Sequence, residues 1–189
     1  QDSRHYAIAA KVPMLEPADS ADALAYTKAA YEISEQFDTP VILRMSTRIS
    51  HSQSLVETGD RQELPLKEYK KDPAKYVMMP AFAKAKHVVV EERTAKLREF
   101  AETTPLNQVF WNDTKIGVIA AGSTYQYARE VLGDSASYLK LGMVNPLPVK
   151  LIQDFAAKVD TLYIIEELDD IIETHCRKIG VNGIGKELF

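Results

Sequence analysis

Four acidic side chains crowd one short stretch of this sequence: Glu166, Glu167, Asp169 and Asp170. Carboxylates this close could act as general acid and base or gather a metal ion. They also fall where an expected strand gives way to an expected helix, and acidic residues there complement a helix N-terminus by ~0.3–1 kcal/mol each. The second reading is the plainer one, with Glu166 and Glu167 the pair expected to contact a neighbouring domain. Gly122-Ser123 also follows an expected strand, where helix N–H groups could cradle a phosphate. Neither G-x-G-x-x-G nor G-x-x-x-x-G-K-[ST] occurs, so a βα turn with a capped helix is the expectation. His5, His51, His87 and His175 are scattered; His87 and Glu91 share a helix face, but two ligands do not close a metal site. Cys176 is the single cysteine, so this chain alone builds no disulfide, Cys-rich zinc site or iron–sulfur cluster. His175-Cys176 lacks a third orienting group and reads as packing. No residue is assigned as catalytic and none as a metal ligand. The polar string Gln1-Asp2-Ser3-Arg4-His5-Tyr6 reads as a loop before a strand, a place where α/β enzymes hold substrate groups. Arg4 could bind a carboxylate through two parallel hydrogen bonds. Equally, it could pair with Asp2 or another acidic neighbour.

The elements that must position these residues are legible in outline. Residues 1–50 read as α/β. A short apolar run, Val12 to Leu15, precedes a helix with Asp19 or Ser20 as N-cap and Leu24, Thr27, Tyr31, Ser34 and Phe37 at helical spacing. Asp38-Thr39-Pro40 ends it, and Val41-Ile42-Leu43-Arg44-Met45 follows as a strand whose apolar run suggests burial on both faces. Across 51–112 the β character disappears. The one strong element there is a helix from Pro80 to about Glu102, roughly 35 Å long at ~1.5 Å per residue. Its apolar stripe is Phe82, Ala85, Val89, Leu97 and Phe100, and it reads as a connector between two layered units. Residues 113–189 alternate strand and helix: strands at Lys115–Ala121, Tyr138–Val144 and Thr161–Ile165, with a capping box at Ser123–Gln126 and a helix stop at Gly133. That alternation implies a parallel sheet with ligands or partners beyond the carboxyl ends of its strands. Those ends carry Gly122-Ser123, Asn145-Pro146 and Glu166-Glu167.

Composition narrows the class. The chain has 189 residues, 46% of them hydrophobic and 26% charged, which is ordinary for a soluble globular protein and excludes collagen-like, disordered and membrane-spanning classes. The net charge of −4 argues against nucleic acid as the main partner. The start is not a signal peptide, so a cytoplasmic location is expected and no membrane partner.

Several segments resemble one family. Gln1-Asp2-Ser3-Arg4-His5-Tyr6, Val12-Pro-Met-Leu-Glu-Pro-Ala-Asp-Ser20, Phe37-Asp-Thr-Pro-Val-Ile-Leu-Arg44 and Thr47-Arg-Ile-Ser-His-Ser52 are together similar to the alpha subunit of indolepyruvate ferredoxin oxidoreductases. Leu141-Gly142, Asn145-Pro-Leu-Pro148 and Ile165-Glu-Glu-Leu-Asp169 resemble the transketolase-C-terminal-like domain shared by many 2-oxoacid ferredoxin oxidoreductases. The resemblance implies a thiamine-diphosphate enzyme that decarboxylates aryl 2-oxoacids oxidatively to acyl-CoA. Electrons would pass through iron–sulfur clusters to ferredoxin, and coenzyme A would take the acyl group; the cofactor supplies that chemistry and protein positions it. It further implies three parts: 1–50 as the end of a pyrimidine-binding α/β domain, 51–112 as a helical linker, and 113–189 as a parallel-sheet transketolase-C-terminal-like domain.

Parts of the family's machinery have no counterpart in this sequence. There is no Gly-Asp-Gly motif for magnesium and diphosphate, no four-cysteine motif and no glutamate to activate the aminopyrimidine. The chain is therefore expected to be an internal piece of a longer subunit, inactive alone and binding none of thiamine diphosphate, Mg2+ or an iron–sulfur cluster. Its partners would be the rest of its subunit, the beta subunit, ferredoxin and coenzyme A. Asp2, Ser3 and Arg4 would lie near the thiamine site, and Gly122, Ser123, Glu166 and Glu167 would make interdomain contacts. Asp169-Asp170 departs from the Asp-Pro that usually follows Glu-Glu-Leu. A stand-alone α/β interaction module, or the equivalent domain of a pyruvate or 2-oxoglutarate ferredoxin oxidoreductase, is the alternative.

Overall fold

Arg4–Ala10 forms a helix, α1, in the computed structural model, which describes residues 1–61, 63 and 65–188. A loop is the expectation for this segment. Three alanines favour helix, Ala7 is buried, and Lys11 at φ 54° closes the last turn through its N–H to Ala7 and Ile8 carbonyls. Strand β1 (Met14–Leu15) follows, then α2 (Ser20–Phe37), whose N-cap Asp19 accepts the Asp22 N–H at 2.8 Å. β2 (Ile42–Leu43) pairs parallel with β1. It is shorter than the five-residue run and only half-buried, because it lies at a sheet edge with β1 on one side. Burial on both faces is thus corrected.

Helix α3 (Thr47–His51) is capped by Ser46, and α4 (Pro73–Tyr76) is a single turn. α5 (Pro80–Thr103) is the expected long helix with Pro at its start. Its packing differs from the expected stripe: Leu97 and Ala101 are buried, whereas Val89 is 45% exposed. Only the C-terminal half has a surface to cover, formed by α2, β1 and Met143. β3 (Gln108–Phe110) was not anticipated in a stretch read as free of β structure. It is three residues long, too short for a period-2 signal, and adds antiparallel to the sheet edge.

Beyond it come β4 (Ile116–Ala121), α6 (Ser123–Leu132), β5 (Ser137–Leu141), β6 (Met143–Asn145), α7 (Lys150–Ala156), β7 (Thr161–Ile165) and α8 (Ile171–Lys178). The main sheet has the order β3-β5-β4-β7, with β4 parallel to both neighbours. Apolar clusters line both faces, one toward α1, α7 and α8 and one toward α6. The strand expected over Tyr138–Val144 divides at Gly142. A Cβ there would collide with the Leu106 carbonyl and the Tyr26 hydroxyl, and Asn107 Oδ1 accepts the N–H groups of Gly142 and Met143 at 3.1 and 3.0 Å. β6 therefore leaves the main sheet and pairs antiparallel with β1, giving a second sheet in the order β2-β1-β6. Helix α6 begins without the expected capping box. Ser123 and Gln126 are drawn to other partners, Ser123 Oγ to Glu167 and Gln126 Nε2 to Asp19, both at 2.8 Å.

Candidate functional site

At the carboxyl ends of β1, β2, β4 and β7 stand Glu16, Arg44, Gly122-Ser123 and Glu166-Glu167, and α1 starts beside them. Arg4 is the hub, 1% exposed. Its Nε donates to both Asp2 oxygens at 3.0 Å and its Nη2 to Asp2 Oδ2 at 2.5 Å; Nη1 donates to Glu166 Oε2 at 2.5 Å. Nη2 also reaches the carbonyls of Glu167 and Asp169 at 2.7 and 2.8 Å. Glu166 in turn accepts the N–H groups of Ile172 and Glu173 at 2.9 Å, so it caps α8 while holding Arg4.

Burial alone would raise the Asp2 pKa. The hydrogen bonds and charge of Arg4, helped by Arg44, outweigh that and hold the carboxyl down at about 2. The carboxylates of Asp2, Glu166 and Glu16 keep Arg4 charged against its own burial. Glu16 goes the other way. It is buried, and loss of water pushes its pKa up against the attraction of Arg44 and Arg4. Its Oε1 pairs with Arg44 Nη1, while Oε2 is buried with no hydrogen-bond partner among the described residues.

Next to this network opens a polar cleft of about 370 Å³ lined by Ser3, Arg44, Ser46, Thr47, Arg48 and Glu167 among others. Ser123 Oγ and Arg48 Nη1 both approach Glu167 Oε1, at 2.8 and 3.7 Å. Gly122, at φ +60°, lies against Glu16, whose Oε1 would be 2.5 Å from an added Cβ. The structure thus gathers Asp2, Ser3, Arg4, Gly122, Ser123, Glu166 and Glu167 into one place. Arg4 nevertheless has no open face for a substrate carboxylate, because Asp2, Glu166 and two carbonyls surround it; that expected role is corrected. Ser3, the N-cap residue of α1, lines the cleft.

Sequence reasoning missed Glu16, Arg44 and Arg48. A usable signal was present: Glu16 and Arg44 each follow an apolar strand pair, Met14-Leu15 and Ile42-Leu43, so opposite charges end two adjacent strands. The carboxylates of Asp169 and Asp170 stay outside the buried network, as partners of His5 Nε2 (2.8 Å) and Thr174 Oγ1 (2.8 Å), although the Asp169 backbone joins it through Arg4 and Asp2. Cys176 is wholly buried, and loss of water drives its thiol up to about 12. Among the described residues, no three His, Cys, Asp or Glu side chains gather as metal ligands.

The chain is 37% identical over 179 residues to the indolepyruvate oxidoreductase subunit IorA of Methanothermobacter marburgensis, a match covering 92% of this chain and 29% of that protein. IorA of Archaeoglobus fulgidus is 34% identical over 186 residues, and IorA of Pyrococcus horikoshii 39% over 187. The chain resembles one segment of IorA. It spans under a third of the length of these curated IorA relatives. No protein-family model matches it. A solved 2-oxoglutarate:ferredoxin oxidoreductase from Magnetococcus marinus shares the fold, with a TM-score of 0.61 at 16% identity over 92% of this chain and 38% of that one. No described helix is long and apolar enough to cross a membrane.

Proposed function

We propose that this IorA-like chain is a positioning segment of a thiamine-diphosphate-dependent indolepyruvate ferredoxin oxidoreductase. The similarity to IorA along nine-tenths of the chain carries this reading. On it, residues 1–50 finish a pyrimidine-binding domain, 51–112 link, and 113–189 form the transketolase-C-terminal-like domain. When bound in the whole enzyme, thiamine diphosphate supplies the carbanion chemistry that removes carbon dioxide from the 2-oxoacid. The clusters, the magnesium ligands and the residue that activates the cofactor belong to other parts of the assembly, which includes a beta subunit and uses ferredoxin and coenzyme A in the cytoplasm. This chain supplies a rigid corner: Arg4, Asp2 and Glu166 lock α1 to the start of α8, and that lock fixes the cleft where Ser3, Arg44 and Arg48 present polar groups.

The test uses the full-length subunit with its partner subunit, ferredoxin, thiamine diphosphate, magnesium and coenzyme A. Indolepyruvate should be oxidised with a higher kcat/KM than pyruvate or 2-oxoglutarate. Arg48→Ala, exposed and at the cleft, should lower kcat/KM by about 10-fold, about 1.4 kcal/mol of transition-state binding, without changing the melting temperature. A preference for pyruvate or 2-oxoglutarate overturns the substrate assignment. Unchanged kinetics in Arg48→Ala removes the cleft from the site.

A further inference from the structure

Strand β2 ends its sheet: in the order β2-β1-β6 it has β1 on one side and no strand among the described residues on the other. The N–H groups of Ile42 and Arg44 donate to β1, at the carbonyls of Pro13 (2.9 Å) and Leu15 (2.8 Å). Backbone groups of successive strand residues alternate between the two edges, so the N–H and C=O of Leu43 face away from β1. The N–H groups of Val41 and Met45 share that side. Among the described residues none of these three N–H groups donates to a backbone carbonyl.

The side chains of the strand look both ways. Val41 and Leu43 pack against the cluster of Leu15 and Ile33, and Ile42 against the larger core on the opposite face, yet each is only half-buried. A shallow groove of about 290 Å³ runs beside the edge, lined by Thr27, Ala30, Tyr31 and Ser34 of α2 with Val41 and Leu43. Tyr31 is 74% exposed and Met45 40%. A parallel strand with apolar residues on both faces belongs inside a sheet. Edges left to solvent are ordinarily guarded by lysine, proline or a bulge. Val41 to Met45 contains no lysine or proline, and its one charged residue, Arg44, is engaged with Glu16.

We propose that β2 is an interior strand of the intact protein, its free edge taking one further strand, parallel to β2, from the stretch of the subunit that precedes residue 1. This rests on the reading of the chain as a segment of an IorA-like subunit. Two observations choose the occupant. The IorA relatives are more than three times as long as the segment this chain matches, which leaves ample polypeptide to supply a strand. On the proposed reading residues 1–50 finish a domain, so the body of that domain comes earlier in the subunit. A strand of about five residues there pairs the Leu43 N–H and C=O and covers Val41, Leu43 and Tyr31. No charged side chain lines the groove, so the face it turns to α2 is uncharged.

The experiment uses the full-length subunit alone in solution. Hydrogen–deuterium exchange resolved to single residues by mass spectrometry should show the Leu43 and Met45 amides exchanging at least about 100-fold more slowly than unstructured amides, at every subunit concentration. In a second arm, Tyr31→p-benzoylphenylalanine, a change at an exposed position, should cross-link on irradiation to a peptide that precedes residue 1. Unprotected amides in a subunit longer than 189 residues overturn the proposal. Protection that appears only when the partner subunit is added, or that rises with subunit concentration, also overturns it, by giving the edge to another chain or to a second copy. A cross-link to a peptide that follows residue 189 overturns the choice of segment. A natural product of only 189 residues overturns the segment reading and this inference with it, whereas failure to oxidise indolepyruvate overturns the substrate assignment alone.

Discussion

Arg4 and Glu16 are buried ions within one network, and removing each has a different consequence. Arg4→Ala leaves Asp2 and Glu166 as facing carboxylates without their cation, and breaking a buried pair in this way costs about 3–5 kcal/mol. The urea midpoint should fall accordingly. Arg4→Lys, which keeps the charge but not the fork, should recover only part of the loss. Of the two roles the sequence left open for Arg4, this is the one of pairing with its acidic neighbours. Asp2 has a folded pKa of about 2 against an ordinary 3.8. A depressed folded pKa contributes stability that is complete above the unfolded value and is lost as pH falls from about 4 toward 2, worth ~2 kcal/mol here. Glu16, with its pKa raised, has the opposite sign: its contribution is present at low pH and is lost as pH rises through its folded pKa. Urea denaturation across that range should show a steep acid limb in the parent that flattens in Asp2→Asn.

Individual elements were legible where their signal is local. The Asp19 cap, the Gly133 stop and the Pro80 start all stand where spacing and residue type put them. What the sequence did not reveal depends on what a surface finds to pack against. Val89 and Leu97 lie on the same expected apolar stripe, yet only Leu97 meets α2 and β1. Leu97→Ala should therefore cost about 2–5 kcal/mol. Val89→Asp, on an exposed turn, should stay within about 0.5 kcal/mol. Chemical denaturation of both variants separates the cases directly. Gly122 makes a similar point at the start of α6. Gly122→Ala meets both a positive φ and Glu16 Oε1, so it should lower the melting temperature and loosen the Glu16–Arg44 pair. The Ser123 capping box failed for a tertiary reason: Glu167, 44 residues on, is a better partner for the hydroxyl than the local N–H.

Across the whole molecule, the parallel three-strand core β5-β4-β7 and its helices followed from strand–helix alternation alone. The second sheet did not, because its strands have two or three residues and one is the tail of a run that looks continuous. The clustering of Asp2, Arg4, Glu166 and Glu167 was equally hidden. Residue type suggested each as polar and functional, but only the fold brings positions 162 residues apart to 2.5 Å. Asn107 is the inconspicuous joint of this arrangement: Nδ2 donates to Ala101 at 2.9 Å while Oδ1 turns the chain at Gly142-Met143. Asn107→Ala leaves three buried backbone groups unpaired and should cost several kcal/mol, read as a lowered melting temperature with loss of amide protection at Gly142 and Met143.

The pairing of β1 with β6 carries a consequence for how the polypeptide can be divided. Between Ser52 and Asp72 the described backbone forms no helix or strand, and most of its side chains point to water. A protease that nicks there severs only a tether. The two products still share a sheet through Met14, Leu15, Met143 and Asn145, and they still interlock through Arg4 and Glu166. They should co-migrate on gel filtration after cleavage and part only in denaturant. Two separately expressed pieces divided in that stretch should find each other and reassemble, because the information that joins them is written in strand edges and buried charges rather than in the peptide bond between them.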